Sequence, residues 1–199
     1  MNRIEELRQI ALSHSHVHDE FFYKFYKRYR ENRNESDYLN YADAFYCAFS
    51  QLTPNISDGE LVVGEIKNGL TASEKKEWEN TYKEIAKERC RVAGGGQDSH
   101  MAIDYELVLS CGLGGIVARI EEYEKSCSPE QADFYSAAKT CLLAVMQHSE
   151  NYSALAARLA KEECDDRRKK SFCGSRKFAK KYLPSRRRAF MRRCNRFIL

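Results

Sequence analysis

The sequence predicts a mainly α-helical chain, and three observations carry that expectation. Apolar residues recur by threes and fours along most of its length. Only 3 prolines and 10 glycines interrupt 199 residues. A single stretch, Leu61-Val62-Val63, reads as a short strand. At 43% apolar and 31% charged residues, a sizeable core is expected, and collagen-like or low-complexity architecture is excluded. The length fits one domain or a tight pair.

The elements follow in order. Phe21, Phe22, Phe25, Tyr26 and Tyr29 fall on one helical stripe, and Leu39, Ala42, Phe45, Tyr46, Phe49 and Leu52 form a second. The pattern breaks between Asn55 and Gly64, where Asp58-Gly59 signals a turn. Thr71-x-x-Glu74 is a capping box opening a helix with Trp78, Tyr82, Ile85 and Arg89 along one side. Gly94-Gly95-Gly96 ends it in a loop. A further helix runs from near Asp104, its cap, to about Tyr123. Its glycines cost roughly 1 kcal/mol each against alanine, which is reasonable where another backbone packs closely. Ser128-Pro129-Glu130-Gln131 starts the next helix, with Phe134, Ala138, Cys141, Leu142 and Val145 as its apolar stripe. A separate alanine-rich helix is expected over Ser153 to Glu163, and the periodicity decays after Asp166.

Several function classes are disfavoured. No run of 18 apolar residues exists; the longest candidate, Leu107 to Ile120, is short and contains three glycines and Arg119. Met1 to Glu6 lacks a signal-peptide core, so the cytoplasm is the expected compartment, with no membrane partner. The 8 cysteines include no C-x-x-C pair, so buried reduced thiols are expected rather than zinc. His14, His16 and His18 alternate between helical stretches, where their rings diverge, and no metal site is expected. The loop Gly94 to His100 lacks the Lys-Ser or Lys-Thr of a phosphate loop.

Charge divides the chain. Of 33 basic residues, 14 lie in 167–199 with none of the 29 acidic ones; the preceding residues carry a net of −10. Such a cationic run reads as a nucleic-acid arm, a membrane-surface segment, or a stretch foreign to the fold.

Two segments carry a resemblance. Ile56-Ser57-Asp58-Gly59-Glu60-Leu61-Val62-Val63-Gly64 resembles the I-x-D-x-E-L-I-V-G signature of the pyruvate formate-lyase-like glycyl radical enzymes. His100 to Leu109, continued by Gly112-Leu113-Gly114-Gly115-Ile116, is similar to the family's G-H-x-x-x-D-Y-x-K-V-L-x-x-G-L-x-G-I. The resemblance spans about residues 35–166, and about 35 residues separate the signatures where the family has more. It implies the helical N-terminal portion of a ten-stranded α/β barrel, the barrel itself largely absent. It also implies a dehydratase or a C–C or C–N lyase acting on a small hydroxylated or carboxylated metabolite without oxygen. The intact relative binds no metal, carries a glycyl radical made by a radical S-adenosylmethionine activating enzyme, and is expected as a homodimer. By resemblance His100 is the substrate-side acid/base, since imidazole can take and return a proton near neutral pH. Asp98 and Ser99 are its loop neighbours and weaker substrate-binding candidates. The family's thiyl cysteine and glycyl loops lie hundreds of residues further on, and no cysteine here stands in the C-x-E setting. Arg91-Val92-Ala93-Gly94, although similar to the glycyl loop, lacks its tyrosine.

The sequence reading therefore divides the chain into 1–166, the family portion, and 167–199, a basic tail expected to be irregular. The family continues with I-C-x-x-V-P and then S-F-Y-E-A-x-Q. A displaced reading frame over Phe178 to Phe197 and beyond can spell I-C-K-K-V-P-S-K-P-A-E-S-F-Y-E-A-M-Q-S-V-Y-F, given permitted codons. A frameshift near residues 166–176 accounts for the arginine run. The alternative is a small helical module whose tail binds nucleic acid through its charges, with Phe178, Tyr182, Phe190 and Phe197 stacking on bases.

Overall fold

The computed structural model describes residues 4–5, 8–9, 12, 19–31, 36–57, 68–87 and 103–182, without the side chains of 82–87 and 176–182. The six longer helices are α1 Asp19–Glu31, α2 Asp37–Ser50, α3 Ala72–Lys87, α4 Tyr105–Glu124, α5 Pro129–Glu162 and α6 Asp166–Tyr182. Among the described residues there is no strand, and no helix is long and apolar enough to cross a membrane. The strand expected at Leu61 to Val63 lies outside the described residues.

α1 carries too many aromatic rings for one stripe because it is covered on two sides. Phe21 and Phe25 meet Phe45 and Tyr41 of α2, with ring centroids 5.8 and 5.2 Å apart. Tyr26, on another side, stacks on Trp78 of α3 at 6.2 Å. Arg28 and Asp43 join α1 to α2 through two hydrogen bonds, Nε to Oδ2 at 2.7 Å and Nη2 to Oδ1 at 3.3 Å. Lys27 Nζ donates to the Tyr23 hydroxyl, which donates to Glu77 of α3 at 2.7 Å. The Thr71 box forms as expected: Glu74 N–H donates to Thr71 Oγ1, and Thr71 N–H donates to Glu74 Oε2.

α5 is the spine. α2 runs along its first half in the same direction: Tyr38 meets Phe134, Phe49 meets His148, and Asn151 Nδ2 donates to Ser50 O at 2.6 Å. α4 folds back against its start, with Tyr123 stacked on Tyr135 and Lys139 paired with Glu124 at 2.6 Å. α6 packs back along its second half, where Phe172 is buried under the Arg168 guanidinium.

Three expectations change here. The basic tail, expected to be irregular from residue 167, continues as helix to Tyr182, with Phe172 buried. The alanine-rich helix is not separate: Pro129–Glu162 is continuous. Its polar midsection stays helical because Ser149 and Ser153 are buried and the Asn151 amide donates to the end of α2. The buried face of α5 is also rotated from the expected stripe. Ala137, Ala144, Ala156 and Ala160 are buried, whereas Phe134 is exposed, because small side chains let helix axes approach.

Two of the glycines of α4 also have a reason within the helix itself. Gly112 has φ 67 and ψ 175, a kink inside the helix in a conformation essentially confined to glycine. A Cβ on Gly115 would lie 2.6 Å from Cys111 Cβ, its own helix neighbour. Around Gly174 in α6 nothing lies within 4 Å. Gly112→Ala is therefore expected to lower stability by about 1–3 kcal/mol, and Gly174→Ala to be neutral or stabilising by up to about 1 kcal/mol. Urea unfolding of both variants checks the contrast.

Candidate functional site

Asp98, Ser99 and His100 lie outside the described residues, so the structure brings none of them together with another group. It does define the helix that follows them in the sequence. Asp104 caps α4 as expected, its Oδ1 accepting from Leu107 N–H at 2.9 Å. Ile103, Asp104, Tyr105 and Glu106 are exposed at this entrance. The alternating histidines and the triple glycine also lie outside the described residues.

The polar centre that the structure does show was not apparent in the sequence. Glu20, in the first turn of α1, is 1% exposed. Its Oε1 accepts from Lys24 Nζ at 2.6 Å, Thr53 Oγ1 at 2.9 Å and Thr53 N–H at 3.2 Å. Its Oε2 accepts from Gly69 N–H at 2.8 Å. Lys24 also donates to Gln51 O. Burial pushes this carboxyl up, but the bonds from Lys24, Gly69 and Thr53 outweigh it and hold the pKa below its ordinary value. Gly69 must be glycine: a Cβ would overlap Thr53 Oγ1 and sit 2.8 Å from Glu20 Oε2.

A carboxylate with four donors converging on it is held ionised and has little capacity to act as a base. Its work is positional. Thr53 and Gly69 stand on either side of residues 58–67, so Glu20 clips together both ends of the segment containing most of the Ile56-to-Gly64 signature. The available sequence signal was weak: an acid pair, Asp19-Glu20, before an aromatic run, with a lysine four residues after Glu20.

His148 sits beside this centre. Its ring meets Phe49 at 4.8 Å and Tyr152 at 5.0 Å, both edge-to-face. Nδ1 is buried without a hydrogen-bond partner. Burial holds the imidazole below its ordinary pKa, and the Glu20 charge pulls it part of the way back. Among the described thiols, burial pushes Cys47 and Cys141 up, so neither is a ready thiolate. Cys164 and Cys173 are exposed and free, contrary to the expectation of burial. The described residues contain no group of three or more His, Cys, Asp or Glu able to hold a metal.

Comparison with known proteins places this architecture. The family model "Pyruvate formate lyase-like" matches residues 67–173. No curated protein matches the sequence closely enough to count as a relative. Among solved structures, the B12-independent glycerol dehydratase of Clostridium butyricum, in its glycerol-bound form, superposes with a TM-score of 0.70 at 16% identity. That match covers 90% of this chain and 30% of the other. A glycyl radical enzyme from Archaeoglobus fulgidus gives 0.68 at 18%, over 94% of this chain and 31% of the other. Hydroxyproline dehydratase of Clostridioides difficile, with trans-4-hydroxy-L-proline bound, gives 0.67 at 15%, with the same coverages. At these identities the likeness is one of fold: a mainly helical portion of the glycyl radical enzyme architecture. The chain spans about a third of those proteins' length.

Two buried groups contribute to the acid response beside the exposed Glu74, Glu77 and Glu130, whose hydrogen bonds also hold their carboxyls below the ordinary value. Both buried groups have folded pKa values below the ordinary ones, so each contributes stability at higher pH that is lost as pH falls. The loss begins near 6.5 for His148 and near 4.5 for Glu20. His148→Phe, which keeps the ring contacts, should flatten the stability profile in the upper window. Glu20→Gln should shrink the lower one and lower stability at pH 7 by roughly 3 kcal/mol, because it removes the charge on which Lys24, Thr53 and Gly69 converge. Chemical unfolding at stepped pH separates them; identical profiles for wild type and both variants would refute the assignment.

Proposed function

Because the chain belongs to the pyruvate formate lyase-like family, we propose that it forms the helical N-terminal part of a glycyl radical enzyme and does not complete the reaction alone. The match over residues 67–173 carries this reading. It spans the His100 motif and the kinked glycine helix behind it.

We favour dehydration, C–O bond elimination from a small hydroxylated metabolite, over C–C or C–N cleavage. Glycerol dehydratase and hydroxyproline dehydratase are among the similar folds. His100 would hold the proton that passes between the substrate's oxygens, because an imidazole near its ordinary pKa serves both directions. Asp98 and Ser99 would orient substrate from the same loop. The glycyl radical of the intact enzyme supplies hydrogen-atom abstraction and is generated by a radical S-adenosylmethionine activating enzyme. That enzyme and a second copy of the intact protein are the partners this reading implies, in an oxygen-free cytoplasm.

The basic tail belongs to the same proposal. The family match ends at 173, and the cationic run continues to Leu199 without an acid. We place the frame change near residues 166–176, so that the remainder of the enzyme lies downstream in another phase. Exposed apolar side chains support a missing partner surface, including Ile103, Tyr105 and Leu143. A second reading rests on the charge itself: a genuine arm would bind nucleic acid with steep salt dependence.

The coding DNA tests the first reading. Displaced triplets should give the I-C-x-x-V-P and S-F-Y-E-A-x-Q motifs followed by barrel sequence; their absence in every phase would overturn it. In the enzyme restored to frame and activated, His100→Ala should lower kcat by about 10²–10⁴ while the glycyl radical signal in electron paramagnetic resonance persists. Wild-type turnover in that variant would remove His100 from the chemistry.

A further inference from the structure

An exposed aromatic face runs across three helices. Tyr38 at the start of α2 meets Phe134 of α5 at 5.7 Å, edge to face. Phe134 meets Tyr135 at 5.7 Å, and Tyr135 stacks on Tyr123 near the end of α4 at 6.1 Å. Tyr38, Phe134 and Tyr123 remain 56%, 51% and 52% exposed. Exposed carboxylates stand near these rings in sequence: Asp37 beside Tyr38, Glu130 one turn before Phe134, and Glu122 beside Tyr123. Three cations temper the charge: Lys125 pairs with Glu122, Lys139 pairs with Glu124, and the exposed Arg119 lies one turn before Tyr123. Open rings edged by acids form a surface suited to guanidinium groups, which can stack on a ring and reach a carboxylate together. The protein already uses the stacking half of that contact, with Arg168 over the ring of Phe172 at 4.8 Å.

We propose that this face receives the arginine-rich C-terminal segment of the same chain, residues 183–199. Its composition is complementary: Arg186, Arg187, Arg188, Arg192, Arg193 and Arg196, with no acid. The reach is sufficient. α6 is in contact with α5 and is 17 residues long, about 25 Å, so an antiparallel course would end opposite the middle of the spine. Phe134 lies roughly 20 Å further along α5 by helical rise, and the segment beyond Tyr182 can extend to about 55 Å. Tethering on the same chain also gives it a high effective concentration over any free cation. The proposal does not depend on whether the segment arose by frameshift.

Photocrosslinking in the full chain tests it. Phe134 is replaced by p-benzoylphenylalanine, the protein is irradiated, and it is then cleaved after acidic residues. That cleavage leaves 167–199 as one peptide, because Asp166 is the last acid. The expected product is an intramolecular crosslink between position 134 and residues 183–199. Its yield should fall at least about fivefold between about 50 mM and about 500 mM salt, as screening removes the charge attraction. It should fall similarly when Arg186, Arg187 and Arg188 are changed to Gln, with helical circular dichroism unchanged. Crosslinks to other segments, to a second copy, or to none would overturn the proposal, as would a yield indifferent to salt.

Discussion

The fold turns on a carboxylate removed from water. Glu20 would be costly to bury alone, and its position is tenable because a lysine, a hydroxyl and two backbone N–H groups converge on it. Those donors come from three places: α1 itself, the connection leaving α2, and the connection entering α3. Satisfying one charge therefore fixes where two loops meet. The lysine reaches Gln51 O as well, and the required glycine at 69 leaves just enough room for its N–H to approach. The surrounding rings of Tyr23, Phe25, Tyr26 and Trp78 make a core that excludes the water such a charge would otherwise recruit.

The same clip bears on function through what it holds. The two chain ends it joins flank residues 58–67, and the family match begins at residue 67. A rigid support on one side, a capped and kinked α4 on the other, and the long spine of α5 between helices would present the two signature segments to a larger body. The kink at Gly112 re-aims the second half of α4, and Gly112 is the sole fully buried residue described in that helix. A helix so apolar and so little covered is consistent with a scaffold element of a larger enzyme.

His148 illustrates how environment, not residue type, assigns chemistry. A histidine is a ready proton carrier when solvated and hydrogen-bonded. Here rings close on it from two sides, Nδ1 has no partner, and its neutral form is favoured. It acts as a polar ring in a dry core, whereas the functional role proposed for His100 rests on its place in the sequence just before the exposed N-terminus of α4.

Local chemistry was legible in the residues alone. The boxes at Thr71 and Ser128, the Asp104 cap and the helical class depend on neighbours three or four positions apart, and short-range hydrogen bonds and periodicity encode them directly. Long-range choices were not legible. Alanines outcompeted Phe134 for the buried face of α5 because close helix approach rewards small side chains. A polar midsection stayed helical because its amide found Ser50 O across 101 positions. Glu20 and His148 acquired their states from groups far away in sequence. Such outcomes depend on which surfaces meet, and no local pattern records that meeting.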